Sequence, residues 1–160
     1  MASSVRVVDR GADDILTAVR EAAKGMEVRV GVIGKEAEAQ HQADDLTVAD
    51  IASSHEFGVG VPQRSWLRDW CDEHQRANER ELRLAAASIL RGRSSLLQEA
   101  HRFGVASVGS IQERMSRSIP PPNAPATIRR KGSDTTLIDT GQFRSSITYD
   151  VQRDGQVVPL

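Results

Sequence analysis

The sequence predicts an α+β fold, in which a small, mostly antiparallel sheet packs against two long antiparallel helices and several shorter ones. Two kinds of pattern indicate it. Apolar residues alternate at period two near both ends of the chain, in "EVRVGVI" and in "ITYDV". Between these strand candidates, apolar residues recur at helical spacing over most of the chain. Together the two patterns favour a small sheet packed against long helices.

The first part of the chain predicts a strand, a helix, a second strand and a loop. "VRVV", residues 5–8, is a short strand candidate, and the spacing of apolar residues in "ADDILTAVREAAKG" predicts a helix that Gly25 ends. The three valines of "EVRVGVI" then share one face of a strand. Residues 34–45 are polar, and we expect them to form a loop.

The segment "LTVADIASSHEFG" predicts a helix with well-defined ends. Thr47 can cap its first turn, and Asp50, three residues later, gives an arrangement like a capping box. Gly58 suits the left-handed residue that ends such a helix. His55 falls on the apolar face, where we expect a hydrogen-bonded, half-buried histidine.

Two long helices are predicted next, joined at Gly92. The first runs from residue 65 to about residue 90. We expect it to bury Trp66, Leu67, Trp70, Cys71, Ala85, Ala86 and Ile89. The second can be capped by Ser94 and runs to about residue 118, and the short connection favours antiparallel neighbours. It ends before "IPPPNAP", which we expect to be extended rather than helical.

The end of the chain predicts a short helix and a hairpin. "DTGQFRSSI" can form a short helix capped by Asp139 or Thr140. The alternating residues of "ITYDV" predict a strand. Asp154-Gly155 is a hairpin-turn signal, from which the chain returns through "QVV".

The composition is that of an ordinary folded protein. The chain has 160 residues, of which 39% are hydrophobic and 27% charged, and its net charge is −1. This balance excludes a disordered chain, and it excludes a dedicated nucleic-acid binder, whose surface would be basic. It also argues against a polybasic surface for membranes. We expect one domain over residues 1–160.

The chain shows no pattern typical of export or of membrane insertion. Its first residues lack the basic-then-apolar plan of a signal peptide, and no apolar run approaches the ~20 residues that span a bilayer. The single cysteine, Cys71, excludes an intrachain disulfide and a multi-cysteine metal site. We therefore expect no membrane partner, assembly in a reducing cytoplasm, and a buried, inert thiol at Cys71.

The tripeptide Asp139-Thr140-Gly141 has the local sequence of an aspartic-protease active site. That chemistry needs two such aspartates sharing a proton within a β-rich dimer. Here only 19 residues follow Gly141, and the preceding hundred are mostly of helical pattern. A structural role fits better: the Asp and Thr side chains cap a helix, and Gly lets the backbone turn. A protease using Asp139 is the alternative of another class.

Other chemical signals are weak. His55-Glu56 resembles the start of a zinc-protease helix, but the second histidine would have to stand where Val59 is. We therefore expect no metal, no cofactor and no catalytic residue. Arg129, Arg130 and Lys131 could touch nucleic acid, yet three cations on a loop are usually solvated surface. A small DNA-binding module remains a third class of function.

Three blocks of the sequence, taken together and in order, resemble one protein family. They are "LTVADIASSHEFG", "VPQRSWLR" and "IPPPNAPATIRRKGSDTTLIDTGQFRSSITYDV". The chain resembles the tail-completion or minor tail proteins of long-tailed bacteriophages, also labelled neck or virion morphogenesis proteins. The motif positions in this chain are His55, Glu56, Phe57, Gly58, Pro62, Arg64, Trp66, Pro120, Lys131, Asp139, Thr140 and Gly141.

The resemblance implies a structural virion protein of α+β fold, without catalytic residues or cofactor. Copies would form a ring, a hexamer or a dodecamer, at the head-proximal end of the tail. The ring would join the tail tube or tail terminator to the head connector, with genomic DNA only passing through its channel. The protein would then lie in the neck of the virion, after assembly in the host bacterial cytoplasm. A tail terminator or another head–tail connector protein is the related alternative.

The segment 119–136 is proline-rich, then polar and basic, and we expect it to be an extended arm or loop. Such a segment can stay mobile in a monomer and become ordered when a neighbour binds. One hypothesis is that it reaches an adjacent subunit. The candidate interface residues are Pro121, Pro122, Ile128, Arg129 and Arg130. The other is that it is an internal crossover packed within its own monomer.

Overall fold

The computed structural model describes residues 12–41 and 45–159. These residues contain ten elements, namely seven helices and three strands. The helices are α1 (Ala12–Ala23), α2 (Lys35–Glu38), α3 (Val48–Phe57), α4 (Arg68–Leu90), α5 (Leu96–Ser116), α6 (Pro125–Lys131) and α7 (Gln142–Ser145). The strands are β1 (Glu27–Gly31), β2 (Thr148–Arg153) and β3 (Gln156–Val157). The predicted α+β class is confirmed, whereas the strand candidate at residues 5–8 lies outside the described residues.

The sheet is antiparallel and has the order β1-β2-β3. Val28 pairs with Val151 and Val30 with Tyr149. The sheet therefore pairs a strand from the first part of the described chain with one from its last part. β2 and β3 are connected at Asp154-Gly155, where φ is 53° and 75°. Positive φ at both central residues is what a two-residue hairpin turn requires, so the predicted hairpin is confirmed.

The two long helices lie beside this sheet. α5 packs against β1 and β2 and also against α4. Residues 91–95 connect α4 to α5, and Gly92 turns the chain there with φ of 66°. The predicted pair of long antiparallel helices is therefore present.

The core lies where α3, the start of α4, the second half of α5 and α7 meet. Its buried residues are Val48, Ala52, Trp66, Trp70, Ile111, Met115, Ile119, Leu137, Phe143 and Ile147. The rings of Trp66 and Phe143 meet edge to face, with centroids 5.3 Å apart. Trp66 also donates a hydrogen bond from Nε1 to the carbonyl oxygen of Ala52, 3.0 Å away. The second sequence block is thereby fixed to the first.

α3 begins and ends as its sequence predicts. The Thr47 hydroxyl accepts a hydrogen bond from the Asp50 amide at 3.1 Å, and the Asp50 carboxylate accepts one from the Thr47 amide at 3.0 Å. These two bonds complete the capping box. The Thr47 hydroxyl also donates to the Asp50 carboxylate at 2.6 Å, and this bond, followed by the one from the Thr47 amide, lowers the pKa of the Asp50 carboxyl. Gly58 ends the helix in the left-handed conformation.

The ends of the long helices differ from the prediction. α4 begins at Arg68 rather than at residue 65, because the Glu56 carboxylate binds the free amides of Leu67 and Arg68. α5 is capped by Ser95 rather than Ser94: the Ser95 hydroxyl accepts from the Gln98 amide at 3.2 Å. α5 also ends at Ser116, two residues earlier than expected.

Cys71 is exposed, so the predicted buried thiol is wrong. Trp70 takes the buried side of α4 at this position, and the next residue is turned about 100° around the helix, toward solvent. Ala86, also expected in the core, is exposed as well. Partial burial and the carboxylates of Asp72 and Glu56 raise the pKa of the Cys71 thiol.

The segment 119–136 is folded onto its own chain. The Thr136 hydroxyl donates to the carbonyl oxygen of Ile119 at 2.8 Å and accepts from its amide at 2.6 Å, which closes the base of the segment. Residues 119–124 are non-helical as predicted, but residues 125–131 form α6, which we expected to be a loop. Pro125 stands at the first helical position, where proline is favoured, and Gly132 ends the helix.

Within the two described ranges, no helix combines the length and the apolar composition that crossing a bilayer needs.

Candidate ligand-binding cleft

A cleft of about 780 Å³ lies between α3, the loop after it, the proline segment, α6 and the turn before α7. Residues from all three sequence blocks that carry the family resemblance line it. The sequence-predicted residues among them are His55, Pro62, Arg64, Pro121, Pro122, Arg130, Lys131, Asp139, Thr140 and Gly141. The cleft, called the basic cleft below, therefore brings together most of the motif positions.

Arg64 forms one wall of the basic cleft and is buried, with 5% of its surface exposed. Its Nε donates to the carbonyl oxygen of Pro121 at 2.8 Å, and its Nη2 lies 3.3 Å from that of Pro122 and 3.4 Å from Oδ1 of Asn123. These acceptors are neutral, and no described carboxylate forms an ion pair with the guanidinium. Burial lowers the pKa of Arg64. The side chain thus holds the proline segment while its charge stays uncompensated.

His55 extends from α3 toward the same cleft and is half-buried. Its Nδ1 is buried and has no hydrogen-bond partner among the described residues, so the prediction of a hydrogen-bonded histidine fails at this atom. Burial, followed by the charges of Arg64 and Lys131, lowers the pKa of His55 to about 4. The imidazole is therefore neutral near pH 7.

Lys131, the last residue of α6, is the second cation of the wall. Its Nζ donates to the carbonyl oxygen of Thr135 at 2.9 Å. Burial lowers the pKa of this ammonium, Asp139 opposes the shift, and Arg64 and Arg130 add to it. Arg64 and Arg130 are thus close enough to Lys131 to act on its charge.

Glu56 has a structural role beside the cleft. It is 7% exposed, and its two carboxylate oxygens accept hydrogen bonds from the Leu67 amide at 3.0 Å and the Arg68 amide at 3.2 Å. A carboxylate at the positive end of a helix is stabilising. The backbone carbonyl of Glu56 in turn accepts from the side chains of Gln63 and Ser65. Glu56 therefore fixes the loop that carries Pro62 and Arg64.

The loop after α3 turns at Gly58, where φ is 74°. A Cβ at this position would lie 2.9 Å from Cβ of Gln63, so the loop closes tightly on itself. Phe57, just before it, is 62% exposed, and the Arg68 guanidinium lies 5.5 Å from the centre of its ring. Phe57 lies outside the cleft.

The Asp139-Thr140-Gly141 turn caps α7. The Thr140 hydroxyl accepts from the Gln142 amide at 3.2 Å, and Gly141, with φ of 86°, is the N-cap residue. The predicted N-cap at Asp139 or Thr140 is therefore wrong: Gly141, whose left-handed conformation suits glycine, takes that position, and Thr140 binds the first helical amide from one residue earlier. Asp139 is exposed at the cleft, where its charge acts on Lys131.

The remaining predicted positions lie apart from the cleft lining. Pro120 and Arg129 are exposed, Ile128 is half-buried, and Trp66 belongs to the core. Whether Pro121, Pro122, Ile128, Arg129 and Arg130 contact another subunit remains a prediction. Within one chain, Pro121, Pro122 and Arg130 line the basic cleft.

Two polar networks were missed from the sequence. Asn123 joins Arg64 to the far end of its segment, since its Nδ2 donates to the carbonyl oxygens of Asp134 and Thr135 at 3.2 Å. Ser110 receives a hydrogen bond from Trp70 Nε1 at 3.0 Å and lies 3.2 Å from His74 Nε2. The spacing of Trp70 and His74, one helical turn apart, could have indicated their stacking, but no local signal indicates Ser110.

The chemistry that this arrangement supports is the binding of an anion. Within the described part of the lining, Arg64, Arg130 and Lys131 outnumber the one carboxylate, Asp139, and His55 adds a polar nitrogen to which no described residue is hydrogen-bonded. Across residues 12–41 and 45–159, no group of three or more His, Cys, Asp or Glu side chains could hold a metal ion. Comparison of the chain with protein-family models, with curated proteins and with solved structures found no match.

Proposed function

We propose that this chain is a structural virion protein that completes the head-proximal end of a bacteriophage tail. In this proposal, copies of the chain form a hexameric or dodecameric ring that joins the tail tube or tail terminator to the head connector. The ring is built in the host cytoplasm and stays in the neck of the virion. Genomic DNA passes through it without being bound specifically. The role requires fitted surfaces and no bond-making chemistry.

The roles of the motif residues support this proposal. Glu56 fixes the start of α4, Arg64 holds the proline segment, and Trp66 joins the second block to α3. These roles build a scaffold from the three blocks that carry the resemblance. The α+β fold is also the one that the resemblance implies.

The observation that carries the assembly role is an aliphatic groove between α1, the second half of α4 and the first turns of α5, toward the end of the helix pair away from the core. It has a volume of about 370 Å³. Its lining includes Val19 from α1, Leu82 and Leu90 from α4, and Phe103 from α5. Val19, Leu82 and Leu90 are 43%, 53% and 48% exposed. Grouped apolar side chains at a surface mark sites of protein association, and head-to-tail contacts between copies close into rings.

Electron microscopy of lysates lacking this protein tests the proposal. Full heads beside unattached tails are expected, and supplying the wild-type chain should restore joined particles. Normal virions without the chain would refute it.

A pair of variants tests the groove itself. Leu82→Glu places a charge on the groove and should prevent ring formation in analytical ultracentrifugation, while the monomer stays folded. Val157→Glu is the matched control, because Val157 is 59% exposed but lies on β3. A ring that forms equally well with Leu82→Glu would mean that copies associate elsewhere.

A further inference from the structure

The described residues that line the basic cleft carry more positive than negative charge. Arg64, Arg130 and Lys131 line it together with Asp139, the one carboxylate among them. Burial lowers the pKa values of Arg64 and Lys131; for Lys131, Asp139 opposes the shift and Arg64 and Arg130 add to it. Their charged forms are therefore held at a cost. An anion in the cleft would remove much of that cost.

The cleft also has polar groups that are held in place and still have hydrogen-bonding capacity for a ligand. Arg64 is tied through Nε and Nη2 to backbone and amide oxygens, which hold its position without cancelling its charge. Lys131 has one of its three donors on the Thr135 carbonyl. Nδ1 of His55 is buried without a partner among the described residues. Such a preorganised set binds an anion at little ordering cost.

The other walls of the cleft are apolar. Ile51, Val61, Pro62, Leu137 and Phe143 contribute to the lining. A nucleic-acid backbone is strongly charged throughout and gains little from such walls. A peptide can place one carboxylate on the cations and neighbouring aliphatic side chains on the walls. The mixture of walls therefore favours an acidic peptide segment.

We propose that the basic cleft is a binding site for a carboxylate-bearing peptide segment, with Arg64 and Lys131 holding the carboxylate at the bottom and Arg130 at the rim. His55 is a polar neighbour of the bound carboxylate, and the aliphatic walls receive the flanking side chains of the peptide. This binding site is a property of the single chain and does not depend on the proposed role in the phage tail.

The probe is an N-acetylated hexapeptide of alternating Glu and Leu, titrated into the purified protein by calorimetry and NMR. We expect saturable binding with a Kd on the order of 0.1–1 mM and an upward shift of the His55 pKa on binding. The matched hexapeptide of Gln and Leu should bind at least about tenfold more weakly, because it lacks the charge. Equal binding of the two peptides, or binding of neither, would overturn the proposal.

Variants of α6 locate the site. Lys131→Gln should weaken binding of the Glu-Leu peptide by roughly tenfold and Arg130→Gln by a few-fold. Arg129→Gln is the control: it removes the same charge from the next residue, which lies outside the cleft lining, and should change the Kd less than about twofold. An effect of Arg129→Gln as large as that of Arg130→Gln would place the peptide elsewhere. Inorganic phosphate and duplex DNA are titrated in the same way. If either binds more tightly than the peptide and is weakened equally by Lys131→Gln, the cleft is a phosphate site and the peptide proposal is wrong.

Discussion

Gly104 of α5 lies directly against the ring of Tyr149 of β2. A Cβ at residue 104 would lie 2.7 Å from both Cγ and Cε2 of that ring, closer than carbon atoms approach each other. The missing side chain therefore sets how near α5 comes to the sheet. The hydroxyl of the same tyrosine lies 3.2 Å from Nδ1 of His101, which is also on α5.

The change Gly104→Ala should destabilise the fold. The added methyl group meets the body of the Tyr149 ring, and overpacking of this kind costs about 1–3 kcal/mol in the free energy of unfolding. Urea unfolding measures it. Gly109→Ala is the control on the same helix, because nothing lies within 4 Å of its Cβ, and it should stabilise by about 0.5–1 kcal/mol. A stabilisation of equal size at both positions would show that the Tyr149 ring moves aside, and that helix propensity rather than the contact decides the outcome.

Glu56→Gln tests the start of α4. The substitution keeps one oxygen acceptor but turns an amide N–H₂ group toward the amides of Leu67 or Arg68, so we expect a loss of about 1–3 kcal/mol in the free energy of unfolding. Glu79→Gln changes an exposed carboxylate of the same helix and should alter the stability by less than about 0.5 kcal/mol. Equal effects of the two substitutions would show that the hydrogen bonds of Glu56 to the start of α4 do not stabilise the fold.

The stability should depend on pH through His55. The folded-state pKa of about 4 lies below the ordinary value of 6.5, so falling pH protonates the unfolded chain first. The stability that His55 contributes is present above about pH 6.5 and is lost as the pH falls toward 4. Because the imidazole is partly exposed, we expect the loss between about pH 7 and pH 5 to be roughly 1 kcal/mol. Urea unfolding at both pH values should show this loss in the wild type and a smaller one in His55→Gln; parallel pH profiles would contradict the assignment.

Arg64→Lys should loosen the proline segment without unfolding the protein. Lysine keeps the charge but cannot reach the carbonyl oxygens of Pro121 and Pro122 with the planar fork of arginine. Hydrogen exchange of the α6 amides should speed up by about tenfold, as expected for a local opening that becomes about 1.4 kcal/mol easier. Arg129→Lys, at an exposed position, should leave exchange unchanged. Faster exchange in α5 as well would indicate a general loss of stability instead.

The subunit-contact hypothesis for the segment 119–136 has its own test. If the segment reaches an adjacent subunit in the assembled particle, crosslinks from Arg130 to neighbouring copies should be abundant in virions, as mass spectrometry of the crosslinked peptides would show. Crosslinks confined to one chain would reject an exchange between copies and leave the segment packed within its own monomer.

Much of the fold could be predicted because its signals are local. The Thr47–Asp50 capping box, the left-handed Gly58 and the Asp154-Gly155 turn each depend on residues close together in the chain. The helix α6 was missed because three prolines precede it, although Pro125 is compatible with a first helical position.

The site could be predicted only in part. The sequence singled out the motif residues of the basic cleft, but it did not predict that they line one cleft. Arg64, for example, contacts Pro121, which is 57 positions away in the sequence. The exposure of Cys71 was missed for a related reason: a helical pattern locates the apolar stripe of α4 but not the width of the surface that α5 covers. Contacts between distant parts of a chain have no periodic signature.

Cys71 offers a practical consequence. It is the one cysteine in the sequence, and it stands on the solvent side of a long helix, so a maleimide probe would attach at a single known place without any engineering. The raised pKa of its thiol means slow labelling near neutrality and faster labelling in mildly alkaline buffer, since the thiolate is the reacting form. Spin labels placed there would report distances between neighbouring copies, and the set of distances in a closed assembly gives the number of its members.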